Sequence, residues 1–151
     1  MGIIPAVQFQ QGDLQVTVCC WGGFVYSETT RHLTLSLSWL SERGQWDVDY
    51  RMFVHVYADV NTPPVAQIDT FPGAVTMPPG NWLQSIYDTI TVDMSSVPSG
   101  VYQIAIGLYN PVTFVRMPIT PLYESSRDSL GVQYVGDGSD GRLFIGEIEV
   151  P

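Results

Sequence analysis

Short stretches in which apolar and polar residues alternate recur along most of the chain. Leu33–Trp39 is the clearest, with leucine or tryptophan at every second position and threonine or serine between them. A period of two predicts a strand with one buried face. The 11 prolines and 14 glycines are spread between such stretches, and they leave no window for a long amphipathic helix. The sequence therefore predicts an all-β protein.

Eight stretches have the length and composition of strands, and turn-forming residues separate them. Strands at this spacing predict an antiparallel β-sandwich of about eight strands, of jelly-roll or immunoglobulin-like type. The 151 residues fit one such domain, residues 1–151. The predicted strands are Leu14–Val18, Leu33–Trp39, Tyr50–Tyr57, Val65–Thr70, Ser85–Val92, Tyr102–Tyr109, Val132–Val135 and Arg142–Val150.

One local motif supports the sandwich. Pro98–Ser99–Gly100–Val101–Tyr102 leads directly into the predicted strand that ends at Tyr109. A Pro-x-Gly-x-Tyr sequence before a central strand is typical of the tyrosine corner, in which the phenol hydroxyl bonds back to nearby backbone. We therefore predict that Tyr102 stabilises the fold.

The charged residues exclude several classes of partner. The chain has no lysine, 6 arginines and 15 acidic residues, and its formal net charge is −9. Nucleic acids and anionic membranes bind clustered lysine and arginine, so neither is expected as a partner. The apolar stretches are too short to span a bilayer, so this chain is not expected to insert into a membrane. Met1–Pro5 also lacks the basic and apolar regions of a signal peptide.

The sequence lacks the patterns of common catalytic sites. It has no Gly-x-Ser-x-Gly motif, no phosphate-binding glycine-rich loop and no lysine for Schiff-base chemistry. His32 and His55 are not spaced as a metal-binding pair. We therefore predict that the protein is not an enzyme and that it has no cofactor.

A distinctive order of motifs carries a resemblance to a known family. Phe53–Tyr57 reads FVHVY, Val65–Gly73 reads VAQIDTFPG, and Trp82 and then Pro98–Tyr102 follow. This order resembles the β-sandwich domain that follows the membrane part of bacterial dolichyl-phosphate-mannose-type glycosyltransferases, notably those of Chloroflexi. The resemblance covers residues 12–150 and departs from the family pattern on both sides of Trp82.

The resemblance implies a location and a role. The catalytic residues of those enzymes lie in their membrane portion, so the resemblance implies a non-catalytic domain that faces the outside of the cell. We expect an extracytoplasmic accessory or binding module at the cell surface, with a glycan as its ligand. The alternative is a structural or self-assembling interaction domain of a cell-surface complex. That alternative follows from the high apolar content, 45%, and its partner would be another protein domain or a second copy.

Four polar residues in apolar strands are the main candidates for a binding site. Asp69 and Asp88 each share a strand face with apolar residues, and a buried carboxylate needs a partner. We predict that His55, Gln67 and Asp69 meet across two adjacent strands, with Arg116 or Asp88 close by. Such a cluster could fix the strand register, or it could bind a ligand or Ca²⁺. A carboxylate beside His55 would raise the pKa of that histidine.

Two further features are candidates from their loop positions. Trp82 follows Pro78–Asn81 in a predicted loop, where its ring could stack on a sugar or anchor the loop in the core. Asp137 and Asp140 lie in an oxygen-rich turn and are weaker candidates for binding Ca²⁺, because the turn falls short of an EF-hand pattern.

Overall fold

The computed structural model describes residues 7–11, 14–43, 50–70, 86–121, 133–134 and 139–151. Every regular element in these ranges is a strand, and none of the ranges contains a helix that could cross a membrane. The strands are β1 (Val7–Gln11), β2 (Leu14–Ser27), β3 (His32–Arg43), β4 (Arg51–Tyr57), β5 (Ala66–Thr70), β6 (Ile86–Asp93), β7 (Gly100–Tyr109), β8 (Ile119–Pro121), β9 (Gln133–Tyr134) and β10 (Leu143–Val150).

The strands form two antiparallel sheets that pack face to face. The first sheet has the order β6-β3-β2-β1-β8, and the second has the order β5-β4-β7-β10-β9. Both sheets contribute to one apolar core, which confirms the predicted β-sandwich. The buried side chains of this core include Phe9, Val16, Val18, Leu33, Leu35, Leu37 and Trp39 from the first sheet, and Met52, Val54, Val56, Ile104, Ile106, Leu108, Leu143 and Ile145 from the second.

The strand order distinguishes between the two predicted types of sandwich. The first sheet contains the neighbours β2-β3-β6, and the second contains β5-β4-β7-β10. These correspond to strands A-B-E and C′-C-F-G of an immunoglobulin-like domain. The fold is therefore of the immunoglobulin-like type, with β1 and β8 added beside β2.

The tyrosine corner lies where this topology requires it. The Tyr102 hydroxyl donates a hydrogen bond of 2.6 Å to the backbone carbonyl of Pro98, and the side chain is buried. This corner connects β6 to β7, the counterparts of strands E and F. The predicted hydrogen bond from Tyr102 to nearby backbone is confirmed.

The sequence patterns missed part of the first sheet. β1 pairs with both β2 and β8, yet neither β1 nor β8 was among the predicted strands. β8 has only three residues, and β1 has glutamine at three of its five positions. β2 also continues to Ser27, past an irregularity in its pairing with β3 between Cys19 and Gly23. Short edge strands and interrupted strands give weak periodic signals.

Candidate ligand-binding groove

The outer face of the second sheet carries an unusual row of side chains. Successive residues of a strand point to opposite faces, so alternate positions of β4 from Met52 to Val56 face the core. Phe53, His55 and Tyr57 face outward. β4 and β5 form a hairpin in which His55 pairs with Gln67 and Phe53 pairs with Asp69. The hairpin therefore places these side chains on one face, as the sequence predicted.

These side chains line an open groove of about 280 Å³. β4 and β5 supply one part of its lining. The end of β7 and the loop that follows it, residues 110–116, supply the rest. Ligand sites combine apolar or aromatic surface with a few convergent polar groups, and this groove has both. Its lining residues are Phe53, His55, Gln67, Asp69, Tyr109, Phe114 and Arg116.

Phe53 forms the floor of the groove because β7 has a glycine beneath it. A side chain at Gly107 would collide with the ring of Phe53 and with the backbone carbonyl of Gly141. Phe53 is 1% exposed, and the guanidinium carbon of Arg116 lies 5.4 Å from the centre of its ring. The Phe53 ring therefore packs closely against Gly107 of β7 and also contacts the guanidinium of Arg116.

Asp140 links two arginines across the outer face. Its carboxylate accepts a hydrogen bond from Arg142 Nε and lies 3.6 Å from Arg116 Nη1. The guanidinium of Arg142 also lies over the rings of Tyr57 and Phe144, at 5.2 and 5.4 Å. Gly141 has a φ of 74°, which an L side chain rarely adopts. This conformation lets the loop pass beside Arg116 and present Asp140 to it.

A hydrogen bond holds the ring of His55. The Tyr57 hydroxyl lies 2.9 Å from His55 Nδ1, and the guanidinium of Arg142 lies over the Tyr57 ring. Burial of the ring lowers the pKa of His55 from 6.5 to about 4, and the charges of Arg116 and Arg142 contribute to the shift. His55 is therefore neutral at physiological pH.

The loop after β7 presents an apolar tip, which we define as residues 112–115. Val112, Phe114 and Val115 are 74, 75 and 60% exposed. The Asn110 side-chain carbonyl accepts hydrogen bonds from the backbone N–H groups of Val112 and Thr113. Phe114 has a φ of 62°, and its ring stacks on that of Tyr109 at 6.4 Å and 16°. The loop therefore holds an exposed aromatic ring at the edge of the groove.

Gln67 and Asp69 lie on the opposite edge and are exposed. Partial desolvation raises the pKa of Asp69 above its ordinary value, against the attraction of Arg51. Because Asp69 is exposed, its carboxylate is not required as the partner of a buried polar group. Of the two roles predicted for this cluster, exposure favours contact with a ligand over a purely structural one.

A second open cavity, of about 560 Å³, lies at another place in the sandwich. Its arginine, Arg31, donates a hydrogen bond of 2.9 Å to the backbone carbonyl of Val97 and so holds the β6–β7 connection. Tyr26 is the aromatic residue in its lining. Its lining residues are Tyr26, Glu28, Arg31, Pro98, Ser99, Val150 and Pro151. The groove on the second sheet has more aromatic side chains in its lining, and it is the candidate site.

The predicted cluster needs one correction. His55, Gln67, Asp69 and Arg116 do line the same groove, but the expected effect of Asp69 on His55 is wrong. The pKa of His55 is lowered, not raised, because burial and two arginines outweigh any carboxylate. In the strand register, Asp69 lies opposite Phe53 rather than His55.

The other predicted site residues lie elsewhere. Asp88 belongs to β6 in the first sheet, where it pairs with Leu37 of β3, and its side chain lies outside the described residues. Trp82 and Asp137 also lie outside them. Asp140 interacts with two arginines, an arrangement that opposes the predicted Ca²⁺ site. Among the described residues, no group of three His, Cys, Asp or Glu side chains could hold a metal ion.

The sequence reasoning missed the aromatic edge of the groove and one arginine near it. Tyr109 and Phe114, at the end of β7 and in the loop after it, and Arg142, next to β10, were not candidates, because they lie far along the chain from the β4–β5 hairpin. One signal was available for Phe114. Asn110–Pro111 marks a turn, and a turn that carries three apolar residues within the next four positions is unusual for exposed backbone.

Comparison with models of known protein families, with curated proteins and with solved structures finds no match for this chain. The resemblance to glycosyltransferase sandwich domains therefore stays a prediction. The groove geometry is the main basis for a functional proposal.

Proposed function

We propose that this domain is a non-catalytic carbohydrate-binding module and that the groove on the second sheet is its binding site. One observation carries the proposal. The Phe114 ring is 75% exposed, is backed by Tyr109, and stands at the edge of a groove that also contains amide, carboxylate and guanidinium groups.

This combination matches the chemistry of a sugar. A pyranose has apolar C–H faces, which stack on aromatic rings, and hydroxyl edges, which donate and accept hydrogen bonds. Gln67 can do both, Asp69 accepts, and Arg116 donates. The groove volume of about 280 Å³ lies near the lower end of small-molecule sites, roughly 300–1,000 Å³. The site therefore fits one or two sugar units.

Glycan-array screening followed by calorimetry tests the proposal. We expect binding to at least one cell-envelope glycan, and we expect Phe114→Ala and Asp69→Asn each to weaken it. Val25→Ala is the matched control, because Val25 is also exposed, at 65%, but lies on the first sheet. The absence of binding to any glycan, or equal binding by all three variants, would contradict the proposal.

We further propose an extracytoplasmic location, on the strength of the family resemblance alone. Protease treatment of intact cells that make the protein from its full natural gene checks this. Digestion of the domain without lysis is the expected result, and protection until lysis would refute the location.

A second candidate function is self-assembly or docking to another protein domain. Val112, Phe114 and Val115 form an exposed apolar tip, and such patches often mark interaction sites. Sedimentation over a wide concentration range separates the two functions. Association that Val112→Ser and Val115→Ser abolish would support assembly, whereas a strict monomer would exclude self-assembly.

A further inference from the structure

We propose that the groove selects sugars that carry a carboxylate and that it binds this carboxylate through His55 and Arg116. This inference rests on the proposed function, because it names the class of sugar that the same groove takes. It also assigns His55 and Arg116 as the two groups of the protein that donate hydrogen bonds to the ligand.

The first step is the state of His55. Tyr57 is 2% exposed, so the hydrogen of its hydroxyl needs a protein acceptor, and His55 Nδ1 lies 2.9 Å away. The hydroxyl therefore donates to Nδ1. This assignment leaves the proton of the neutral ring on Nε2, as a donor.

The second step is the availability of Arg116. Asp140 is its partner, but at 3.6 Å, while Arg142 holds the same carboxylate at 2.5 Å. The side chain of Arg116 is 35% exposed and that of Arg142 is 12% exposed. The donors of Arg142 are thus used in contacts within the protein, whereas Arg116 keeps N–H donors that can face a ligand.

The third step is that both donors border the same ring. The His55 ring lies 4.5 Å from the centre of the Phe53 ring, and the Arg116 guanidinium carbon lies 5.4 Å from that centre. Both groups also line the groove, so an acceptor in the groove can approach both of them. A carboxylate has two acceptor oxygens and gains charge-assisted hydrogen bonds from both donors.

The fourth step is the local charge. Three arginines act on the two carboxylates of this region: Arg51 attracts Asp69, and Arg116 and Arg142 lie beside Asp140, although the whole chain has a net charge of −9. The groove is thus a local site for an anion on an acidic protein. The titratable and charged groups that face His55 and the groove are Tyr57, Asp69, Tyr109, Arg116, Asp140 and Arg142.

Calorimetry with matched pairs of sugars tests the inference. Methyl β-glucuronide is compared with methyl β-glucoside, and the galacturonide with the galactoside, at neutral pH. In at least one pair we expect the acid to bind about tenfold more tightly, a margin of about 1.4 kcal/mol. Arg116→Gln should remove this margin, and added salt should reduce it.

The outcomes separate this inference from the proposed function. If the neutral sugar of each pair binds as tightly as its acid, the carboxylate selection is wrong and the carbohydrate function stands. If neither member of any pair binds and the glycan array is also blank, both proposals fall. If Arg116→Gln binds acids as well as the natural chain does, the assignment of Arg116 is wrong.

NMR of ¹⁵N-labelled histidine provides a readout that a purely structural role would not move. The spectrum should show His55 protonated on Nε2 alone, and Tyr57→Phe should shift its Nδ1 resonance. The glucuronide should raise the apparent pKa of His55, whereas the glucoside should leave it unchanged. His32, which is exposed on the first sheet, is the internal control. A proton on Nδ1 in the free protein would overturn the tautomer assignment.

Discussion

Phe114 holds a backbone conformation that is costly for a residue with a side chain. Its φ is 62°, in the left-handed region, which costs a non-glycine residue roughly 1–2 kcal/mol. The bonds around Asn110 impose this conformation, while 75% of the side chain remains exposed. Strain of this kind persists where it positions a functional group, which agrees with a role for this ring in binding.

The strain can be measured with two substitutions at this position. Asparagine tolerates the left-handed region and alanine does not, and both remove the aromatic ring. We expect Phe114→Asn to be more stable than Phe114→Ala by about 1 kcal/mol, and both to lose glycan binding. Urea unfolding gives the two stabilities. Equal stabilities would mean that the loop relaxes and that the conformation is not imposed.

His55 makes the stability of the protein depend on pH. Its pKa is lowered from 6.5 to about 4 in the folded state, so between these values the unfolded chain binds more protons. The contribution of His55 is therefore complete above pH 6.5 and is lost as the pH falls towards 4. Because the ring is partly exposed, we expect a loss of about 1–2 kcal/mol.

Comparison with a variant isolates this contribution from that of the carboxylates. Urea unfolding at pH 7 and pH 4.5 should show a larger loss for the natural chain than for His55→Asn. His32→Gln, at an exposed position, should behave like the natural chain. If His55→Asn lost as much stability at acid pH as the natural chain, the lowered pKa would be refuted.

At the scale of elements, β4, β7 and the turn before β10 form the floor of the groove together. The outward-facing side chains of β4 are aromatic. Their rings need space that side chains of the neighbouring strand would otherwise occupy. Gly107 of β7 provides this space for the Phe53 ring and for the backbone of Gly141. A single glycine therefore determines how closely three elements approach.

Gly107→Ala tests this dependence. The added methyl group would meet both Phe53 and backbone atoms, and overpacking of this kind costs about 1–3 kcal/mol. We expect a loss of stability in that range, together with weaker glycan binding because the floor is displaced. Val101→Ala is the control, since Val101 lies on the same strand and is 57% exposed. Unchanged stability and binding in Gly107→Ala would show that the floor adapts.

At the level of the molecule, the core between the sheets contains a large buried indole ring. Trp39 is fully buried and packs against Phe9 at 5.8 Å. Its Nε1–H is buried with no hydrogen-bond partner among the described residues. A buried donor without a partner costs about 1–3 kcal/mol, and we expect Trp39 to carry this cost together with the gain from burying its indole ring.

Trp39→Phe should therefore be a mild substitution. It removes the unsatisfied N–H, and this gain offsets part of the cost of the smaller ring. We expect a loss of about 1 kcal/mol or less, against about 3–5 kcal/mol for Trp39→Ala. Denaturant unfolding of both variants gives the comparison. Nearly equal losses would mean that the indole N–H has a favourable partner.

Local sequence patterns were enough to predict the fold class and several of its details. The alternating leucines of Leu33–Trp39 predict a strand from local sequence, because every second side chain of a strand lies on the same face. The Pro-x-Gly-x-Tyr motif likewise specified the Tyr102 corner, since that bond spans only four residues. The hairpin that places His55, Gln67 and Asp69 on one face is also local, and the sequence predicted that face, although it did not predict the register that sets Asp69 opposite Phe53.

The surroundings of His55 depend on packing between distant parts of the chain. Arg116 and Arg142 come from later parts of the chain, and they reach the histidine because β4 and β10 both lie beside β7. Their charges and the burial of the ring reverse the expected direction of its pKa shift. A local pattern gives the neighbours of a side chain along its strand and hairpin, whereas charge and desolvation depend on every element that packs nearby.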